Sequence, residues 1–217
     1  MIVSRGRKFV FVHIPKTGGT ALTLALESRA MKDDILIGDT PKAQARRART
    51  KADPATARLR KHSPLADLDT LLPAGELANF FCFSLVRNPW DRLVSYYHWL
   101  RGQSFDHAAV TLAKSRDFSA FINAPATQVA EARWPARAYL TDAAGDLRAT
   151  AFLRLEHLEA DIPALESHLG FGLLPLPRQN VSARTRDWRG HYTDADAALI
   201  ARLCAQDIAD FDYRFDP

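Results

Sequence analysis

Two short apolar runs, each leading straight into a helical pattern, most limit what this chain can fold into. Phe80-Phe81-Cys82-Phe83-Ser84-Leu85-Val86 lacks the alternation of a half-exposed strand. Asn88-Pro89 follows, a good cap and first-turn pair, and a helical pattern then runs to about Arg101. Nearer the start, Phe9 to Ile14 form a β-branched and aromatic run stopped by Pro15 and two glycines. Thr20, Ala21, Leu22, Leu24, Ala25 and Leu26 continue as a helix. Strands buried on both faces read this way.

Strands alternating with helices imply an α/β fold with a parallel sheet and right-handed connections. Further strands are expected at Ile35-Leu36-Ile37 and near Ala151–Leu155. Further helices are expected over Leu65–Leu72, ended by Pro73-Ala74-Gly75, and over Leu158–Leu169. A last helix starts at Thr193, with Asp196 at the capping-box position and Leu199, Ile200, Leu203 and Ile208 inward. Ligands of such sheets bind beyond the carboxyl ends of the strands, so the functional search belongs after residues 14, 37 and 86.

A chain of 217 residues can bury a core without disulfides or structural metal. One domain over 1–217 is expected, with a basic excursion at about 40–62. Residues 42–61 carry eight Lys and Arg against Asp53 alone, while the whole chain is only +4. The excess is therefore local, and the segment reads as helical pieces in a mobile, solvated excursion. Cys82 and Cys204 read as small buried hydrophobes, and no Cys/His cluster has zinc spacing. The apolar run after the basic N-terminus is too short for a signal sequence or a transmembrane segment. The expected location is cytoplasmic.

Chemistry concentrates at the two strand ends. In His13-Ile14-Pro15-Lys16-Thr17-Gly18-Gly19-Thr20, the glycines let backbone approach a ligand, and N–H groups converge at a helix start. That is an anion site suited to phosphate or sulfate, with Lys16 as a charge and Thr17 and Thr20 as donors. It is not a Walker A loop, because the Lys precedes the glycines. At the second strand end, Arg87 is placed for an anion, and Ser95 lies two turns into the helix. Arg92, Ser95 and Trp99 share one helical face, while Leu93, Tyr97 and Leu100 share another and read as core. A structural turn, an Arg92 surface ion pair and an ordinary mid-helix serine are the plain readings of these residues singly. Together, the motifs suit one ligand with two separated phosphate groups.

The paired motifs resemble the sulfotransferases that use 3′-phosphoadenosine 5′-phosphosulfate (PAPS). Residues 13–20 are similar to that superfamily's 5′-phosphosulfate loop, and residues 87–97 to its 3′-phosphate motif. The wording resembles the carbohydrate-type branch that includes the 2-O-sulfotransferases. Weaker echoes are Arg154-Leu155-Glu156-His157-Leu158 and Asn180-Val181-Ser182. The resemblance implies a three-layer α/β/α sandwich of P-loop kinase-like fold. It implies sulfuryl transfer from PAPS to a hydroxyl acceptor, a carbohydrate or lipid head group, leaving PAP and using no metal. It assigns Lys16 to the leaving phosphate and Thr17, Gly18, Gly19 and Thr20 to the 5′-phosphate. Arg87 and Ser95 take the 3′-phosphate.

A hydroxyl acceptor also needs a base, with His13, His62, His98 and His107 as candidates. The position of His62 resembles that of the catalytic histidine of the 2-O-sulfotransferase branch; the plain alternative is an exposed loop histidine. His13 reads as structural, and His98 is the second choice. Asn180, Ser182, Arg184 and Arg186 are lid candidates, and Trp134 and Trp188 are isolated aromatics. Two rivals remain: a nucleotide-dependent kinase or NTPase on the same fold, and a basic nucleic-acid-binding module. The first lacks a Walker A loop and an evident Walker B Asp. The second leaves both strand-end motifs unexplained, so no nucleic-acid partner is expected. With Lys16, Arg87 and Ser95 all present, nothing favours a non-catalytic PAPS binder.

Overall fold

The structure, a computed structural model, describes residues 1–177 and 187–216. It divides into two compact units, Met1–Val86 with Ala136–Gln179 and Arg87–Pro135 with Asn180–Pro217. The first unit is built on a five-stranded open sheet. Its strands are β1 (Ile2–Ser4), β2 (Phe9–Phe11), β3 (Ile35–Leu36), β4 (Phe81–Val86) and β5 (Ala151–Arg154), in the order β3-β1-β2-β4-β5.

β4 runs parallel to both β2 and β5, with Phe9 opposite Phe81 and Phe83 opposite Ala151. The ring of Phe83 lies 5.2 Å from that of Phe11 and 6.0 Å from that of Phe9. These rings and Leu85 share a core with Leu22 and Leu26 of α1 (Gly19–Ser28) and with Ile162, Leu165 and Leu169. Residues of the opposite pleat, Val10, Cys82 and Ser84, are equally buried. Burial on both faces explains why the strand sequence does not alternate. Ser84 is accommodated because its hydroxyl donates to the Val12 carbonyl at 2.7 Å. Burial pushes the Cys82 and Cys204 thiols up to about 12, so both are inert hydrophobes.

The structure corrects several expectations. β1 has only three residues, too few to show a period, and it pairs antiparallel with β2, Ile2 opposite Phe11. Residues 5–8 can form a hairpin but not the crossover that a parallel pair needs. β3 therefore adds antiparallel to β1, with Ile2 opposite Leu36, and the parallel part is the core β2-β4-β5. The leucines at 65–72 form only a short 3₁₀ turn, Leu65–Leu68. Pro73, expected to help end a helix, caps the start of a new one, Ala74–Leu77. Pro163 lacks an amide hydrogen and splits the expected helix at 158–169 into Leu158–Asp161 and Pro163–Leu169.

The helical pieces of the basic segment are present as α2 (Pro41–Ala52) and α3 (Pro54–Ala57), capped by Thr40 and Asp53. Its cations are more engaged than a solvated excursion implies. Lys42 donates to the Glu27 carbonyl at 2.5 Å, Arg46 to that of Asp34 at 2.8 Å, and Arg49 to those of Lys32 and Asp34. These bonds tie α2 to the last turn of α1 and to the link that follows it.

In the second unit, the Asn88 side chain accepts from the Trp90 and Asp91 amides and starts the helix Pro89–Arg101. Leu93, Tyr97 and Leu100 are buried on it, as their spacing predicts. Thr193 and Asp196 form a reciprocal capping box for Asp194–Leu203. The chain breaks at Cys204 into a further helix, Ala205–Phe211, and Ile208 is only partly buried. No helix among the described residues is long and apolar enough to cross a membrane.

Candidate active site

Two residues with positive φ shape the turn after β2: Lys16 at 64° and Gly18 at 83°. Gly18 occupies the cap of α1 without any side-chain hydrogen bond, and no acid lies in the first turn. The first amide hydrogens of α1 thus face outward with the positive end of the helix dipole behind them. Thr17 is buried, and its hydroxyl donates to the Ile14 carbonyl at 2.9 Å. Its hydroxyl is therefore already committed within the turn.

The packing around the two glycines leaves little room for a side chain. A Cβ on Gly18 would lie 2.8 Å from Leu155 Cδ1, at the end of β5. A Cβ on Gly19 would lie 2.6 Å from both Cδ2 and Nε2 of His13. Because His13 is itself buried, Gly19→Ala should cost about 1–3 kcal/mol of stability by overpacking. Thermal melting checks this; an unchanged melting temperature would show that the turn adapts.

His62 comes to the same turn. Its Nδ1 lies 2.7 Å from the His13 carbonyl, and the two rings meet edge-to-face at 5.0 Å. A carbonyl only accepts, so Nδ1 carries the proton and Nε2 keeps its lone pair. The Ser63 amide donates to the Arg60 carbonyl, and the Arg60 amide to Ser63 Oγ, each at 3.1 Å. This closes a turn with Lys61 and His62 at its tip. Lys61 forks onto both carboxylate oxygens of Asp39, at 2.9 and 3.1 Å. His62 is exposed as a residue, as its plain reading expects, yet it is pulled below the ordinary 6.5 to about 4. Burial of its inner side is the largest cause. The Lys61 and N-terminal ammonium charges add to it, while the carbonyl hydrogen bond and Asp39 oppose it. Burial also pushes His13 well below 6.5, so both imidazoles are neutral near pH 7.

The second motif lies in the other unit. Arg87 donates from Nε and Nη2 to Asp91 Oδ2 at 2.9 and 2.6 Å, which fixes the plane of its guanidinium. Ser95 is half-buried one turn beyond Asp91. Arg92 pairs with Glu131 at 2.5 Å, which is its plain ion-pair reading. His98 packs 5.2 Å from the ring of His191, and Trp99, 41% exposed, stacks on Tyr96. His107 caps a helix by accepting from the Ala109 amide. Trp188 is buried against Phe215, whereas Trp134 is partly exposed. Asn180, Ser182, Arg184 and Arg186 lie outside the described residues. Among those described, no group of three or more His, Cys, Asp or Glu is arranged to hold a metal.

The family model described as "Sulfotransferase family" matches residues 1–215. The chain belongs to the sulfotransferase family. It is a transferase of sulfuryl groups, on the α/β fold described above. No curated protein and no solved structure matches it. Three contacts around the candidate residues were not read from the sequence. Leu155 backs Gly18, Asp39 holds Lys61 beside His62, and Asp91 orients Arg87. Leu155 stands within the echo at 154–158, and Asp91 left a trace as an acid four residues after Arg87 on one helix face.

Proposed function

We propose that this sulfotransferase takes its sulfuryl group from PAPS and passes it to a hydroxyl of a carbohydrate or lipid head group. One observation carries the reading. The start of α1, which no side chain caps, with Lys16 in its turn, shares a unit with an imidazole whose Nε2 is free of its proton. The donor supplies an activated sulfuryl group on a phosphate leaving group. The backbone amides of Thr17, Gly18, Gly19 and Thr20 suit its 5′-phosphate, and Lys16 the charge that grows on the leaving oxygen. His62 Nε2 takes the hydroxyl proton as the acceptor oxygen bonds to sulfur and the bond from sulfur to the phosphate oxygen breaks. Arg87, oriented by Asp91, and Ser95 hold the 3′-phosphate. Protein cations thus cover the developing charge, and no step in this reading uses a metal.

Calorimetry with PAP against ATP tests the donor. PAP should bind more tightly than ATP, and Arg87→Ala should weaken PAP by about 10–100-fold, the effect of losing a hydrogen-bonded charge. Tighter ATP binding, or PAP binding indifferent to Arg87, overturns the donor assignment. A screen with labelled PAPS over polysaccharides, glycolipids and small hydroxylated metabolites tests the acceptor. Transfer confined to the last group overturns the carbohydrate or lipid assignment.

A further inference from the structure

His13 is a buried titratable residue to which neither the donor contacts nor the proton transfer assign a role. It is 4% exposed, and its Nδ1 is enclosed without a hydrogen-bond partner among the described residues. Enclosing an unsatisfied imidazole nitrogen is costly, and an apolar side chain would avoid the cost. The reason for this side chain must lie in what the residue touches. Its ring stacks on Phe11 at 5.8 Å, and its Cδ2 and Nε2 edge lies against Gly19, the first residue of α1. Its other neighbour is the ring of His62, at 5.0 Å, and its own carbonyl accepts from His62 Nδ1. One residue therefore touches both the phosphate-facing helix start and the imidazole on the turn at 60–63.

We infer that His13 is a positioning residue for the transfer. Its ring, wedged between Phe11 and Gly19, sets its own carbonyl so that His62 is held with the proton on Nδ1 and with Nε2 aligned to the donor loop. This rests on the reading of His62 as the base. The wedge also links the two halves of the site, because any shift of Gly19 moves the ring that orients His62. Three groups besides His13 act on His62: the Lys61 ammonium, the Asp39 carboxylate and the N-terminal ammonium. Only His13 makes a hydrogen bond to its ring among the described residues.

The test combines ¹⁵N NMR of the His62 ring with turnover of His13→Ala, His62→Ala and the double variant. In the wild type the proton should sit on Nδ1; a proton on Nε2 overturns the inference, and this reading needs no variant to fold. In His13→Ala the Nδ1–H preference should be lost and kcat should fall roughly 10²-fold, the scale of a misplacement of about 1 Å. The double variant should be no slower than His62→Ala alone, because the two residues act through one group. Losses that multiply would mean a purely structural role and overturn the inference. If His13→Ala does not fold, His13→Gln takes its place. If His62→Ala keeps wild-type turnover, the base assignment fails, while the tautomer of His62 in the His13 variant still decides the positioning claim.

Discussion

Lys16→Ala should lower kcat roughly 10³-fold and leave the melting temperature almost unchanged, as expected for removal of a cation aimed at charge that appears in the transition state. A thousandfold loss corresponds to about 4 kcal/mol of barrier. Lys16 lies at φ 64° in a half-exposed turn, and alanine carries the same Cβ, so the backbone strain is the same in both proteins. The helix start and its amides remain, so PAP should still bind, with a loss much smaller than the loss in rate. Turnover with labelled PAPS, PAP calorimetry and a thermal melt separate these quantities. A rate within tenfold of the wild type would show that Lys16 does not face the leaving phosphate. An equal loss in PAP affinity would place it on the ground state instead.

His62→Ala should lower kcat by about 10²–10⁴-fold, the usual contribution of a positioned general base. The pH profile adds a sharper criterion. The ring is held below the ordinary 6.5, to about 4, so its neutral form dominates well into mildly acidic solution. Activity should therefore stay level from neutral pH down to about pH 5 and fall only as pH passes through the folded value near 4. Folding stability follows the same sign. Between about 4 and 6.5 the unfolded chain binds a proton that the folded His62 does not, so stability falls as pH drops through that window. His62→Ala should remove the acid limb of the residual rate and flatten the stability curve there. His13, which burial also holds well below 6.5, has the same sign, so part of the slope remains in the variant. An unchanged acid limb in the variant would assign the base to another group.

The candidate site could be proposed from the sequence because both motifs are local. A strand end, a turn and a helix start lie within eight consecutive residues at 13–20, so the chain itself brings Lys16 to the amides of α1. Asn88 and Pro89 likewise mark a helix start whose cap lies two and three residues from its donors. The parallel core was legible from the unalternating run of β4, since burial of both faces leaves its mark on every residue. β1 was not, because three residues carry no period and strand direction depends on the partner and the link. The basic segment has its helical pieces and mostly exposed charges, but not all of its contacts could be read. Charge in a sequence suggests solvent, but carbonyls at 27, 32 and 34 receive Lys42, Arg46 and Arg49.

The sequence by itself determined the family, the α/β class and the place of the glycine turn between β2 and α1, because each depends on neighbours within one or two turns of chain. Tertiary structure alone decided what those residues touch. His62 meets the His13 carbonyl across 49 positions, and Leu155 closes over Gly18 from the end of β5. The tautomer of His62 follows from the first of these contacts, and part of the demand for glycine at 18 and 19 follows from packing against Leu155 and His13. Such contacts depend on where the sheet places distant strand ends, and no local pattern of residue types encodes that distance.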